Sequence, residues 1–462
     1  MQNHHYKISA ILVAAAFFME NLDATVITTA LPTIAHDLMT TTAALSIAIA
    51  SYLVAMTLFI PLAGWAAERL GAKRVFSVAI ALFTLSSVGC AMSHTADIFI
   101  LMRIFQGLSG AMMVPVGRII VLQQTPKTDT ISAIATLTWP GLIAPVLGPL
   151  IGGWICTHWS WPWIFLINIP LGIILLVSVF FFMERLPQKH QPFDVLGFLI
   201  VTGGIGLFMG CIELAEQLSL ISWEILLAVS LSLLGWAVYH LCHKPAPLFR
   251  LSSLSITTFR ASNLTGSLFR LTISSMPFIL PLMFQLGFGQ TPVQAGAMLL
   301  WLFAGNLLMK TMTTWLLQQF GFRNILHING LLVILGMLAC AQLTAHTAMI
   351  WIALLLLFCG MTRSMQYTAL TTLSFADIPK HHLKDATTLS SVLRQMSMAL
   401  GIAICGLLLQ WLPQIKSALT QQTSLFSMII YILAGITTIA WLNLLRLPSD
   451  AGDNIRKAKM AS

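Results

Sequence analysis

The residues best suited to chemistry lie near the start of the chain, in Met19-Glu-Asn-Leu-Asp-Ala-Thr-Val-Ile-Thr-Thr-Ala-Leu-Pro32. Glu20 and Asp23 are three apart, so a helix puts them on one face. Both fall inside an apolar run from Ile8 to Leu31 that is long enough to cross a bilayer. A carboxylate in hydrocarbon is normally paired, protonated or functional. Its natural partner is a base in another apolar run, and the sequence offers Arg103, Arg118, Arg270, Lys310, Arg363 and Arg394. A rise of about 1.5 Å per residue puts Asp23 roughly 12 Å, and Arg103 roughly 8 Å, from the same end of their spans. That match in depth predicts an Asp23–Arg103 pair, direct or through water. Glu20, one turn deeper beside Phe17, Phe18 and Met19, is then the carboxyl free to take up a proton or meet a cation. The plainer alternative is that both acids only tie helices together.

The elements that must position these groups are membrane helices. Hydrophobic residues make up 57% of the chain and charged residues 8%, against a usual charged share of roughly 25%, and the mean hydropathy is +0.87. The expected fold is all-α, with fourteen spans near 8–31, 43–66, 75–93, 98–123, 132–156, 163–183, 194–214, 222–241, 261–286, 293–318, 325–344, 349–373, 386–411 and 424–446. Loop charge tests this count, because cytoplasmic loops collect Lys and Arg. With the N-terminus inside, the inner segments hold Lys7, Arg69, Lys73, Arg74, Lys127, Arg185, Lys189, Lys244, Arg250, Arg260, Arg323, Lys380, Lys384, Arg446, Arg456, Lys457 and Lys459. The outer loops hold only Lys416. Both termini are therefore expected in the cytoplasm of a cell inner membrane. The net charge of +9 reads as loop charge in contact with the lipid bilayer and not as a nucleic-acid footprint. Span lengths suggest a duplication: a six-helix bundle over 1–185, two linker helices over 186–250, and a second six-helix bundle with a short tail over 251–462.

Three further stretches carry mechanism. Gly64-Trp-Ala-Ala-Glu68-Arg69-Leu-Gly71-Ala-Lys73-Arg74 is a tight inner loop in which Gly64 would allow close backbone approach and Gly71 a turn. It reads as a charged latch or as an ordinary basic loop. Arg103-Ile-Phe-Gln106-Gly107-Leu-Ser-Gly110-Ala111 puts an arginine among small residues that let helices approach. Ala144-Pro145-Val-Leu-Gly148-Pro149-Leu-Ile-Gly152-Gly153 has a proline and glycine content that a membrane helix tolerates only where neighbours pack closely.

These stretches resemble motifs A, B and C of the major facilitator superfamily, with Glu68 where motif A usually has Asp and Ala144 where motif C usually begins with Gly. Leu22-Asp23-Ala-Thr-Val-Ile-Thr-Thr-Ala30-Leu31-Pro32 resembles motif D1 of its 14-spanner drug:proton antiporters. Trp163-Ile-Phe-Leu-Ile-Asn168, Phe193-Asp194-x-x-Gly197 and Leu393-Arg394-Gln395 add to the likeness. The stretch Gly110–Arg118 resembles one multidrug-resistance branch. The resemblance implies two bundles that alternate access to a midplane site. It also implies export through the motif C residues Gly148, Pro149, Gly152 and Gly153, and proton coupling through Arg103.

No phosphate-binding loop occurs, so an ion gradient is the expected energy source, with protons preferred to sodium. The expected partners are a small-molecule substrate and protons, and the expected state is a monomer. No nucleophile–base cluster suggests an enzyme, and scattered Cys and His suggest neither a metal site nor a cofactor. Arg270, Lys310, Arg363 and Arg394 are candidates for the substrate path. Their excess over acids makes an anionic or zwitterionic substrate, such as a specific metabolite, an alternative to drug-like cations, and a non-transporting sensor is a further alternative.

Overall fold

The structure is a computed structural model that describes residues 2–125, 130–184, 193–213, 219–244, 247–379, 383–415, 422–448 and 451–452. Of the loop charges, Lys127, Arg185, Lys189, Lys380, Lys416, Arg456, Lys457 and Lys459 lie outside these residues. Among the described residues all regular structure is helical.

In chain order the helices are α1 Gln2–Asp37, α2 Thr42–Ala66, α3 Ala72–Ala91, α4 Ala96–Gln124, α5 Thr130–His158, α6 Trp163–Leu166, α7 Asn168–Phe182, α8 Val195–Glu213, α9 Leu220–His243, α10 Thr257–Arg260, α11 Gly266–Leu282, α12 Pro292–Ala341, α13 Met349–Ser374, α14 Leu383–Ile415 and α15 Gln422–Leu444. Several begin where a side chain can satisfy the free amides of the first turn. Thr41 accepts from the Ala44 amide, Thr95 from Ile98, and Thr291 with Gln294 forms a reciprocal cap before Pro292.

By length and composition, 12 helical stretches of the described residues can cross a membrane. One of them, Thr42–Ala91, has 50 residues, which at about 1.5 Å each is more than twice the roughly 30 Å of a hydrocarbon core. It is broken at Gly71, whose φ of 92° lies outside the helical region, so it supplies two crossings and brings the number to thirteen. The other 50-residue run, α12, breaks in the same way at Gly321 with φ 74° and ψ 163°. The expected fourteenth span, 132–156, is α5. That helix has 29 residues, and its described part includes the apolar stretch Ile143–His158. The count of fourteen therefore rests on α5 alone.

The helices group into two compact units, Met1–Leu248 and Phe249–Ser462. In the first, α1 packs on α5, α2 on α4, and α3 on α4 and α7, while the α8–α9 hairpin attaches through α2. In the second, α11 packs on α14, α12 on α13, and α15 on α12 and α11. The α8–α9 hairpin is pinned at its base by Asp194. Its carboxylate accepts from Lys244 Nζ at 2.8 Å, from the Gly197 amide at 2.9 Å and from the Leu248 amide at 3.1 Å, with His240 Nε2 at 3.0 Å. Burial works against the Asp194 charge, but the Lys244, Gly197 and His240 contacts outweigh it and hold the carboxyl below its ordinary range.

Candidate functional site

Four helices of the first unit converge on one carboxylate. Asp23 on α1 accepts from Arg103 Nη1 of α4 at 2.6 Å, from Asn168 Nδ2 of α7 at 2.8 Å and from Gln106 Nε2 at 3.3 Å. Gln106 also accepts from Arg103 Nη1 at 2.6 Å and donates to Ser87 Oγ of α3 at 2.7 Å. All five side chains are buried. The Tyr52 ring of α2 lies 4.3 Å from the Arg103 guanidinium carbon, a cation–π contact. Depth along the spans anticipates the Asp23–Arg103 contact. The sequence reading gives no role to Ser87, Asn168 or Tyr52, although a tyrosine in mid-span, away from the interfacial belts that tyrosines favour, is a readable signal.

Glu20 sits beside this network but outside it. It is 5% exposed, and among the described residues its Oε2 has no hydrogen-bond partner. A Cβ added at Gly110 would lie 3.4 Å from Glu20 Oε1 and 3.3 Å from the Tyr52 hydroxyl, so glycine keeps this corner open. Where the sequence suggests phenylalanine surroundings and no compensating base, the structure brings Arg118 and Asp23 within electrostatic reach. Two carboxyls one turn apart are thus held differently, one saturated with donors and one with a free oxygen.

The proline- and glycine-rich stretch is a helix seam. A Cβ at Gly148 would clash with Thr25, and one at Gly152 would lie 2.5 Å from the Val26 carbonyl oxygen. Thr29 Oγ1 donates to the Pro149 carbonyl at 3.2 Å, and Gly153 is buried. The seam therefore holds α5 against the helix that carries both acids.

In the charged loop, Lys73 Nζ donates to the Phe180 carbonyl at 2.9 Å and the Met183 carbonyl at 2.6 Å, which caps the C-terminus of α7. Arg69 lies 5.7 Å from the Trp65 ring centre, Glu68 is half-buried and Arg74 exposed. Gly71 adopts the backbone expected of it. Gly64 does not: among the described residues a Cβ there would meet nothing within 4 Å, so they show no close approach at it.

The second unit gathers Arg270, Lys310, Arg363 and Arg394 around Tyr367. Arg394 hydrogen-bonds the tyrosine, and the other three are in electrostatic reach of it. Arg363 also lies 5.7 Å from the Phe303 ring centre, and Lys310 Nζ reaches Thr368 Oγ1 at 3.4 Å. The sequence names the bases and misses the tyrosine that joins them.

Residues 13–402 match the family model described as Major Facilitator Superfamily. The chain is 35% identical to "Putative multidrug resistance protein MdtD" of Pectobacterium carotovorum subsp. carotovorum (strain PC1), over 87% of each. It is 33% identical to "Probable transport protein HsrA" of Haemophilus influenzae over 99% of each. Among solved structures, a D-xylose–proton symporter superposes with a TM-score of 0.70 at 14% identity, covering 97% of this chain and 99% of that one. The nucleoside transporter NupG superposes with a TM-score of 0.60 at 13% identity, covering 95% of this chain and 98% of that one. The many apolar spans, the charged network within them and these matches together establish that the chain is a multi-pass membrane protein of the Major Facilitator Superfamily, a transporter and not an enzyme.

Proposed function

We propose that the protein is a proton-coupled secondary transporter that exports small amphiphilic compounds across the inner membrane, as a monomer with both termini in the cytoplasm. In this reading the chain crosses fourteen times, as two six-helix bundles joined by the α8–α9 pair. The observation that carries it is the pair of unlike carboxyls on α1. Asp23 is held by Arg103, Gln106 and Asn168, while Glu20 keeps an unpartnered oxygen in a buried site. A saturated carboxylate orders the helices, and a neighbouring carboxyl with a free oxygen can load and release a proton as its surroundings change. Export is supported by the motif C seam at Gly148, Pro149, Gly152 and Gly153 and by the multidrug-resistance names of relatives. The charged loop from Gly64 to Arg74 serves as the cytoplasmic latch, with Lys73 fixing α7.

The test is substrate-dependent proton flux in inverted membrane vesicles, screened over a broad set of amphiphiles. Glu20→Gln is expected to abolish proton-linked accumulation while the protein stays folded. Retained coupling in Glu20→Gln removes Glu20 from the mechanism, and flux from the opposite face alone makes the protein an importer.

A further inference from the structure

The second unit sets one buried arginine, Arg270, and two half-buried ones, Arg363 and Arg394, along sequence that holds few acids. The sequence has no Asp or Glu from Phe249 to Ser374, and none from Ala386 to Ser449. Within these stretches Arg270 is 1% exposed, and among the described residues its Nε and Nη1 have no hydrogen-bond partner, nor have Arg363 Nη1 and Arg394 Nε. Arginine stays charged at any physiological pH, and a buried charge with unmet donors is costly. Tyr367 does not answer the charge. It accepts from Arg394, which leaves its own O–H free to donate. The cluster is therefore all donor and positive.

Beside it the wall turns apolar. A cavity of about 30 Å³ borders Arg363 and is lined by Ile273, Met276, Leu302 and Met337, on α11 and α12. That space holds little more than one water, but unbranched methionines re-pack readily around a larger body.

We propose that Arg270, Arg363, Tyr367 and Arg394 bind the head of an amphiphilic organic anion, a carboxylate on an apolar body, as the transported class. This rests on the transporter reading and narrows its substrate. Guanidinium groups match a carboxylate in shape and charge. The tyrosine hydroxyl adds a neutral donor, and the Met-lined side receives the apolar body.

The test is equilibrium binding to full-length protein in phosphatidylcholine nanodiscs, with empty discs as blank. The probes are naphthylacetate and octanoate, their methyl esters, and naphthylmethylammonium. The carboxylates are expected to bind, and the esters and the cation to bind at least about tenfold more weakly, because a charged hydrogen bond is lost. Arg270→Gln is expected to lower carboxylate affinity by about tenfold or more, Arg270→Lys by less, and Tyr367→Phe by a few-fold. If Arg270→Gln fails to fold, Tyr367→Phe and the ester comparison decide. Failure of both carboxylates to bind, equal binding of acid and ester, or preference for the cation overturns the proposal. Proton flux is read separately. Anion binding without proton-linked transport leaves the site standing and removes the exporter reading. Proton-linked efflux of cations without anion binding does the reverse.

Discussion

In the first unit Arg103 meets Asp23 at 2.6 Å and shares it with Gln106 and Asn168, whereas in the second Arg270 is equally buried and, among the described residues, forms no ion pair with an acid; the acid of the neighbouring α14 is Asp385, in its first turn. The helix seams allow the two to be set in register. Gly152 of α5 sits against the Val26 carbonyl and Thr29 of α1, and Gly401 of α14 sits against the Leu271 carbonyl and Ser275 of α11. Matching Val26 with Leu271 places Arg270 at the level of Thr25, two residues beyond Asp23. The same stretch of the first helix thus carries the acid in one unit and the base in the other. The aromatic support is shared, with Tyr52 against Arg103 and Phe303 against Arg363. Both arginines keep unpartnered nitrogens among the described residues, Nε and Nη2 of Arg103 and Nε and Nη1 of Arg270; what differs is that one network carries its own carboxylate, and the proposed anion would supply the other's.

The sharpest way to break this comparison is to remove one charge from each unit and measure thermal unfolding of the purified protein. Asp23→Ala strands Arg103 in the interior and is expected to cost about 3–5 kcal/mol, much of which the double change with Arg103→Met regains. Arg270→Met removes a charge that forms no ion pair with a carboxylate among the described residues, so it is expected to leave stability unchanged or raise it. Equal losses in Asp23→Ala and Arg270→Met would show that the two networks do not differ in kind. A smaller effect tests the register. Gly152→Val and Gly401→Val each force a side chain into a carbonyl contact and are expected to destabilise by about 1–3 kcal/mol. A loss at only one of them would dissolve the match between seams. The smallest effects belong to the charged loop. Gly64→Ala is expected to change unfolding by less than about 0.5 kcal/mol, while Gly71→Ala, at a positive φ, costs about 1–3 kcal/mol.

Most of the span boundaries are legible because long apolar runs are local signals. The expected 349–373 is Met349–Ser374, and the expected 194–214 is Val195–Glu213. The expected 132–156 is α5, Thr130–His158. The Asp23–Arg103 contact could be read because helical rise converts sequence position into depth, which is all that a pair on two crossing spans needs. The remaining partners could not be read in that way. Ser87, Asn168 and Tyr367 are ordinary polar residues whose importance depends on which helices are neighbours. Gly64 shows the opposite error, since a small residue in a motif suggests contact, yet the space beside it is open.

Gly71 and Gly321 each end one span and begin the next with a single residue at positive φ. A loop of several residues would let its two spans shift independently. A one-residue elbow leaves their ends no slack, so they can part only by bending at the glycine. In each unit, then, the second and third spans are tied end to end, and the turn between them hangs on the freedom of one glycine.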